Sequence, residues 1–364
     1  ATTWLSIRLG RTRLWQHHRK RRVLAKTLSS LLGPILVSHQ AFEPVRVGVV
    51  GMGGFGRLHA STILGLAETN LVALVARRPE TLDEVADDYP GVPGWLDIDK
   101  AIAESDAEAW IVASSTSTHV TMTRSLLEAG HAVLLEKPIS EDLDEASSLS
   151  PLVNDDSSNL MMGHILLFNS EFLEMQAQAR KRGPVHYFDC VRYRPATVLQ
   201  DYPGESPFHL TMVHDLYCAF ALTNGEEPVE FSSQIHRHQT GALDLALAQL
   251  RWPSGTVGSF TAAFLTVPGM SADGFDRMEV FGEGWAGRLQ ANPRPLEIWD
   301  DKARWPMELE IRADQNAPTG MMAEELRCFC RVVRGMQSVP QGATYQDAMR
   351  VQQWVDRLAQ VATG

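Results

Sequence analysis

From Val45 to about Met162 the chain alternates between two patterns of apolar and polar residues. Short apolar runs rich in β-branched residues fall at Val45–Val50, Leu71–Ala76, Ala109–Ala113, Ala132–Leu135 and Leu160–Met162. Each has strand length. Between them lie amphipathic stretches such as Val120–Ala129 and Glu141–Leu149. This alternation predicts a doubly wound parallel sheet, with ligands bound beyond the carboxyl ends of its strands. The pattern then changes. Leu166–Arg180 and Pro207–Leu222 read as helices, and strand-like runs follow at Val229–His236, Leu243–Trp252, Gly255–Val267, Arg277–Phe281, Arg288–Gln290 and Met307–Ile311. Regular Pro and Gly punctuation between those runs suits an antiparallel sheet. Helices at Met321–Arg334 and Tyr345–Val361 close the chain, the second with Ala348, Val351, Val355 and Leu358 on one face.

The stretch Val45–His59, V-R-V-G-V-V-G-M-G-G-F-G-R-L-H, organises the first half. Gly51, Gly53 and Gly56 follow the first strand at dinucleotide-binding spacing. A helix from about Phe55 to Leu66, with Phe55, Ile63 and Leu66 on one face, and the run Leu71–Ala76 complete a strand–helix–strand unit. Gly51 permits the tight turn, Gly53 lets a pyrophosphate approach the backbone, and Gly56 lets helix and strand pack closely. Gly54 and Phe55 lie in the same turn and count with them. The unpaired N–H groups of the helix start face the phosphates. After the second run come Ala76-Arg77-Arg78, where an NAD site would carry an acid for the ribose 2′-hydroxyl. Arg77 and Arg78 instead suit a 2′-phosphate, which predicts NADP, with NAD possible.

The residues after the later runs are the next candidates. Ser114-Ser115-Thr116-Ser117-Thr118-His119 follows the third run and Glu136-Lys137-Pro138 the fourth. An ammonium at position 137, where a buried strand ends, is placed to touch a substrate oxygen. Composition adds exclusions. The 364 residues suit about two domains, and a formal net charge of -11 argues against nucleic acid as the main partner. Cys190, Cys218, Cys328 and Cys330 lack zinc or redox spacing and read as packing residues, so no metal site is expected. No apolar run reaches membrane-spanning length.

Together, G-M-G-G-F-G-R-L-H, S-S-T-S-T-H, E-K-P and the later His214-Asp215 resemble the Gfo/Idh/MocA oxidoreductases, from Val45 to the C-terminus. The resemblance implies an α/β fold: a Rossmann domain at 45–162, then an α+β domain at 163–364 with a large, mostly antiparallel open sheet. The C-terminal helices are allowed to pack back on the first domain. It also implies a homo-dimer or homo-tetramer through that sheet, and hydride transfer between a nicotinamide and a carbon of a sugar, cyclitol or related polyol. Ser114, Ser115, Thr116, His119, Glu136 and Lys137 join the glycines and arginines as expected cofactor contacts. Lys137 is expected to bond the reacting oxygen, and His214 matches the family's acid/base histidine. His164, Asn169 and Asp215 are the expected substrate contacts. One departure stands out. Inositol-dehydrogenase-like members carry an Asp four residues before the histidine, and here that position is Leu210. His209 and Asp215 point elsewhere on the helix. Leu167, where sugar-nucleotide members often have Arg, weakens the case for an anionic substrate. Tyr193, Arg194 and Tyr202 lie on segments that could line the pocket.

Two alternatives remain open at this point: a non-catalytic cofactor-binding regulator of the same fold, and an NAD-dependent glycosidase. Residues 1–44 stand apart, with eight Lys or Arg and one acid, Glu43. They read as a disordered extension and the protein as cytoplasmic. A transit peptide, a twin-arginine export signal at Arg21-Arg22 and a nucleic-acid-binding run are the other readings.

Overall fold

The computed structural model describes residues 43–267, 270, 274–296, 298–299, 303–304 and 309–364. The extension assigned to 1–44 lies, apart from its last two residues, outside the described residues.

The apolar runs form β1 (Val45–Val50), β2 (Thr69–Val75), a two-residue β3 (Gly94–Trp95), β4 (Ala109–Val112), β5 (Ala132–Glu136) and β6 (Leu160–Gly163). They lie side by side, all parallel, in the order β3-β2-β1-β4-β5-β6. This is the doubly wound order, with the chain reversing its direction of travel between β1 and β4. The connecting helices are α1 (Gly54–Gly65), α2 (Pro79–Val85), α3 (Ile98–Glu104), α4 (Thr116–Glu128) and α5 (Leu143–Ser147). Asp97 and Asp142 cap α3 and α5 by accepting from backbone N–H groups, which satisfies donors the first helical turn leaves unpaired. Parallel strands covered on both faces must be apolar throughout. Accordingly β4 is wholly buried, including the indole of Trp110.

The second sheet is mixed and mostly antiparallel. It is built from β7 (Val185–Pro195), β8 (Glu230–Arg237), β9 (Leu243–Arg251), β10 (Val257–Thr266), β11 (Phe275–Gly282) and β12 (Trp285–Asn292). The order is β12-β11-β7-β10-β9-β8, and Ala362–Thr363 adds a parallel edge to β8. Strand β7 is central, parallel to β10 and antiparallel to β11. The sequence reading passed over it. Its bounds, Gly183-Pro184 and Pro195, and its alternation of buried Phe188 and Cys190 with more exposed Tyr187 and Asp189 are nevertheless strand signals.

Two expected helices are interrupted. Leu166–Arg180 divides into a 3-10 turn, Ile165–Phe168, and α6 (Ser170–Arg182). The break falls at Asn169, whose side chain caps α6 by accepting from the Phe172 N–H at 2.9 Å. A short α7 (Val198–Asp201) follows β7. Pro207–Leu222 divides into a π-helical turn, Phe208–Met212, and α8 (Val213–Leu222). Of the run Met307–Ile311, positions 307 and 308 lie outside the described residues, and the strand is only Ile311–Arg312, paired with Thr319–Gly320. Within α1, Ile63 is buried whereas Phe55 is 47% exposed, so the two do not share a core face.

The last helices, α9 (Met321–Val333) and α10 (Tyr345–Gln360), carry strong apolar stripes. Ala348, Val351, Val355 and Leu358 are all buried. Tyr345 and Ala348 belong to the core of the parallel sheet. The Tyr345 hydroxyl donates to the Ala146 carbonyl at 2.8 Å, and Gln352 to the Ser140 carbonyl at 2.7 Å. All four cysteines are buried and free.

Arg334, at the end of α9, grips both oxygens of Glu108 beside β4, at 2.7 and 2.9 Å. The bidentate guanidinium, with the Arg46 N–H, holds the Glu108 carboxyl down to about 2. A folded-state pKa below the unfolded value gives stability that is present above the unfolded pKa and lost as pH falls through the folded one. Arg334→Ala should therefore lower stability near pH 7 by about 1–3 kcal/mol in urea unfolding. The deficit against wild type should shrink as pH falls from about 4 towards 2.

Candidate active site

The carboxyl ends of β1, β2, β4 and β5 converge on one edge of the parallel sheet. Gly51 sits there at φ +94°, a conformation that favours glycine, and its N–H donates to the Val75 carbonyl at the end of β2. A Cβ on Gly56 would stand 1.7 Å from the Gly51 carbonyl oxygen, so α1 can start this close to the turn only with glycine there. A Cβ on Gly53 or Gly54 would meet nothing within 4 Å. The backbone at both positions is exposed, as is the Phe55 ring, and no side chain caps the start of α1. The turn thus offers open N–H groups at a helix N-terminus, which fits a pyrophosphate. Ala76, Arg77 and Arg78 follow β2 next to this turn. Ala76 is buried, Arg77 and Arg78 are exposed, and the Arg78 guanidinium makes a long contact with Thr81, at 3.5 Å.

The serine-threonine segment after β4 starts α4, with Ser115 at its N-cap and Thr116 as its first residue. Ser114 bonds the Thr118 hydroxyl at 2.8 Å. His119 is buried, and its ring nitrogens face the carbonyls of Pro138 at 2.7 Å and Ser114 at 3.1 Å. It ties two loops of the cleft together rather than facing it. Burial holds its pKa below the usual histidine range, against the pull of the two carbonyls.

Glu136 and Lys137 leave the end of β5 in different directions. The Glu136 carboxylate turns into the protein and meets His59 of α1 at 2.8 Å. Glu325 of α9 completes a buried trio, its ligand atoms within 4.8 Å of theirs. Neither Glu325 oxygen has a hydrogen-bond partner. Burial and the charge of Glu136 push the Glu325 carboxyl well above the usual range. The Glu136 side chain thus serves α1 and α9 and is not presented to a cofactor.

Lys137, joined to Pro138 by a cis peptide, turns the other way. Its Nζ donates to the Leu210 carbonyl at 3.1 Å, in the π-helical turn just before His214. Burial holds its pKa below the usual lysine range, opposed by the nearby charges of Glu136 and Glu205. His214 is partly buried, and its Nδ1 lies 2.7 Å from the Tyr217 hydroxyl. Burial, followed by the cations Lys137, Arg192 and Arg194, pushes its pKa well below the usual range, leaving a neutral imidazole. His164 stacks on the Tyr217 ring at 4.2 Å, and its Nδ1 meets the Gly342 carbonyl at 2.6 Å. Burial brings its pKa to about 4. A small cavity lined by Lys137, His164, His209, Val213 and Gln352 lies beside this group.

Two expected substrate contacts are committed elsewhere. Both oxygens of Asp215 are held by Arg192, at 2.9 and 3.0 Å, and burial raises its carboxyl to about 6 against that pull. Arg192 also meets Asp276 at 3.1 Å, and Asp276 binds Arg194 at 2.6 Å, so two arginines and two aspartates balance within the fold. Asn169 caps α6, and its amide donates to Glu310 at 2.8 Å. Tyr202 is 55% exposed. His209 is bonded to Ser206 and Asp356, so it does not stand in for the missing aspartate. The sequence reading missed Arg192, Asp276 and Tyr217. The first two lie on the unread β7 and on β11. Tyr217 stands three residues after His214, on the same helical face, which was the available signal.

A glycine turn on a doubly wound sheet, with a lysine at its edge bonded to the turn that precedes a histidine, suits a nicotinamide-dinucleotide oxidoreductase. Residues 45–164 match the family described as oxidoreductase family, NAD-binding Rossmann fold, and residues 163–286 match the GFO/IDH/MocA C-terminal domain. The chain belongs to the Gfo/Idh/MocA family and is an NAD(P)-dependent dehydrogenase or reductase acting on CH–OH groups. It is similar to the inositol 2-dehydrogenase of Rhizobium meliloti, 28% identical over 270 residues, which are 70% of this chain and 78% of that protein. It is also similar to the UDP-N-acetylglucosamine 3-dehydrogenase of Acidithiobacillus ferrooxidans, 28% identical over 60% of this chain and 67% of that protein. A solved scyllo-inositol dehydrogenase from Lactobacillus casei, with bound NAD(H) and scyllo-inositol, superposes with a TM-score of 0.75. At 19% identity, over 88% of this chain and 97% of the other, it shows likeness of fold. Among the described residues, no helix is long and apolar enough to cross a membrane.

The glycines should separate in a binding assay. Gly53→Ala should leave the melting temperature close to wild type and weaken dinucleotide binding in a fluorescence titration. Gly56→Ala, with its Cβ 1.7 Å from a carbonyl oxygen, should lower the melting temperature as well.

Proposed function

We propose that this enzyme is an NADP-dependent dehydrogenase or reductase of a polyhydroxylated small molecule, a sugar or cyclitol, and that Lys137 and His214 handle the reacting oxygen. The observation that carries the reading is the Lys137 Nζ contact with the Leu210 carbonyl. It brings the lysine of the parallel sheet to the helix that bears His214. The Gly51–Gly56 turn, with Arg77 and Arg78 at its side, would hold the dinucleotide. When bound, the nicotinamide accepts or donates the hydride. The protein's part is to fix the substrate carbon and manage the proton on its oxygen. A lysine whose charged form is disfavoured by burial is suited to that proton. The names of the inositol dehydrogenase relatives support a cyclitol.

Several features support the rest of the reading. Ser114, Ser115 and Thr116 lie where the nicotinamide half would pass. Leu247, paired with Thr261, and Phe281, paired with Tyr187, expose apolar surface on the second sheet, which supports pairing of subunits there. Retention of both Lys137 and His214, brought together, weighs against a regulator that only binds cofactor.

In fluorescence titrations NADPH should bind more tightly than NADH. Arg77→Ala with Arg78→Ala should cost NADPH about tenfold or more and NADH little. A clear preference of the wild type for NADH would overturn the NADP assignment. A screen of sugars and cyclitols for NADP reduction should find a substrate, whereas a regulator would turn over none. On that substrate Lys137→Ala should reduce kcat by about a hundredfold or more, with NADPH affinity little changed.

A further inference from the structure

The inositol-type aspartate that would orient the histidine is replaced by Leu210, and the structure supplies another partner. We infer that Tyr217 is the positioning residue for His214 and fixes its proton on Nε2. His214 then presents an N–H donor to the substrate oxygen, and the amine of Lys137 takes the proton. This rests on the oxidoreductase reading above.

The argument is one of satisfying a buried hydroxyl. Tyr217 is fully buried. Its oxygen accepts the Leu166 N–H at 3.2 Å, and the other polar atom at hydrogen-bond distance is His214 Nδ1, at 2.7 Å. A hydroxyl has one hydrogen. If Nδ1 carried the proton, the oxygen would accept twice and its own hydrogen would be orphaned in the core, at a cost of about 1–3 kcal/mol. With Nδ1 as acceptor the hydroxyl both donates and accepts. The phenol is held in place by the Leu166 N–H and by the parallel His164 ring at 4.2 Å. The Tyr217 and His214 rings cross at 76°, their centroids 5.5 Å apart. Nε2, on the opposite side of the ring, is left for a ligand. Burial, with the Arg192 and Arg194 guanidinium groups nearby, disfavours a second proton on the ring.

The roles in alcohol oxidation then separate. The hydroxyl O–H bond breaks and its proton moves to the Lys137 amine. A nicotinamide held by the glycine turn would take the C–H electron pair as hydride. The new carbonyl oxygen is held by the His214 Nε2–H, which neither gains nor loses a proton. In the reverse direction the Lys137 ammonium returns the proton.

The test is the tautomer itself, read in the full chain labelled with [15N]histidine, by long-range proton–nitrogen correlation. The His214 signals, identified by their loss in His214→Gln, should show a protonated Nε2 and a bare Nδ1. A protonated Nδ1 would overturn the inference. In Tyr217→Phe the pattern should change to the other tautomer or a mixture, and kcat should fall about tenfold with cofactor affinity unchanged. An unchanged pattern and undiminished turnover would also overturn it. The wild-type spectrum needs no substrate. Failure to find any polyol substrate would sink the proposed function while leaving the tautomer result to stand or fall alone.

Discussion

Lys137 stands at the end of a buried parallel strand, where its Nζ has to find an acceptor, and the acceptor is the Leu210 carbonyl. Much of the molecule is arranged so that this bond can form. Strand β5 is locked between β4 and β6 and fixes where the lysine emerges. The π-helical turn before α8 presents a carbonyl to it. Such widened turns recur at functional sites. The Arg192–Asp215 pair anchors α8 to β7, so the helix bearing His214 is held to the second sheet as firmly as the lysine is held to the first.

The glycine turn and the lysine are linked from behind as well. Glu136 and Lys137 are neighbours with opposite assignments. One carboxylate points inward to His59 on the helix that follows the glycine turn, and one lysine side chain points outward to the histidine helix. A displacement of α1 is therefore felt at the residue next to Lys137. The C-terminal helices close this arrangement, α9 through Glu325 and α10 through the bonds of Tyr345 and Gln352.

The parallel sheet was legible because both its faces are covered, so its strands appear as short, mainly apolar runs alternating with amphipathic stretches. The glycine turn was legible because its steric demands admit one residue type. The second half was harder. Strand β7 carries Arg192, Arg194 and Asp189 among its apolar residues, and their partners lie on other strands and helices far along the chain. A charge neutralised by tertiary contact is indistinguishable, in sequence, from one facing solvent. The same limit explains Asp215 and Asn169. Both have the chemistry of substrate contacts, and only the fold reveals that Arg192 and a helix start already occupy them. The breaks at Asn169 and Met212 are backbone events within helical spacing, which side-chain periodicity does not register.

Glu325 has a further consequence for the whole molecule. Burial sets its carboxyl well above the usual range. Rising pH beyond the usual carboxyl range therefore weighs against the folded state here, while falling pH weighs against it at Glu108. Two carboxyl groups at opposite ends of α9 thereby set limits of opposite sign on the same helix, and its docking is firmest between them.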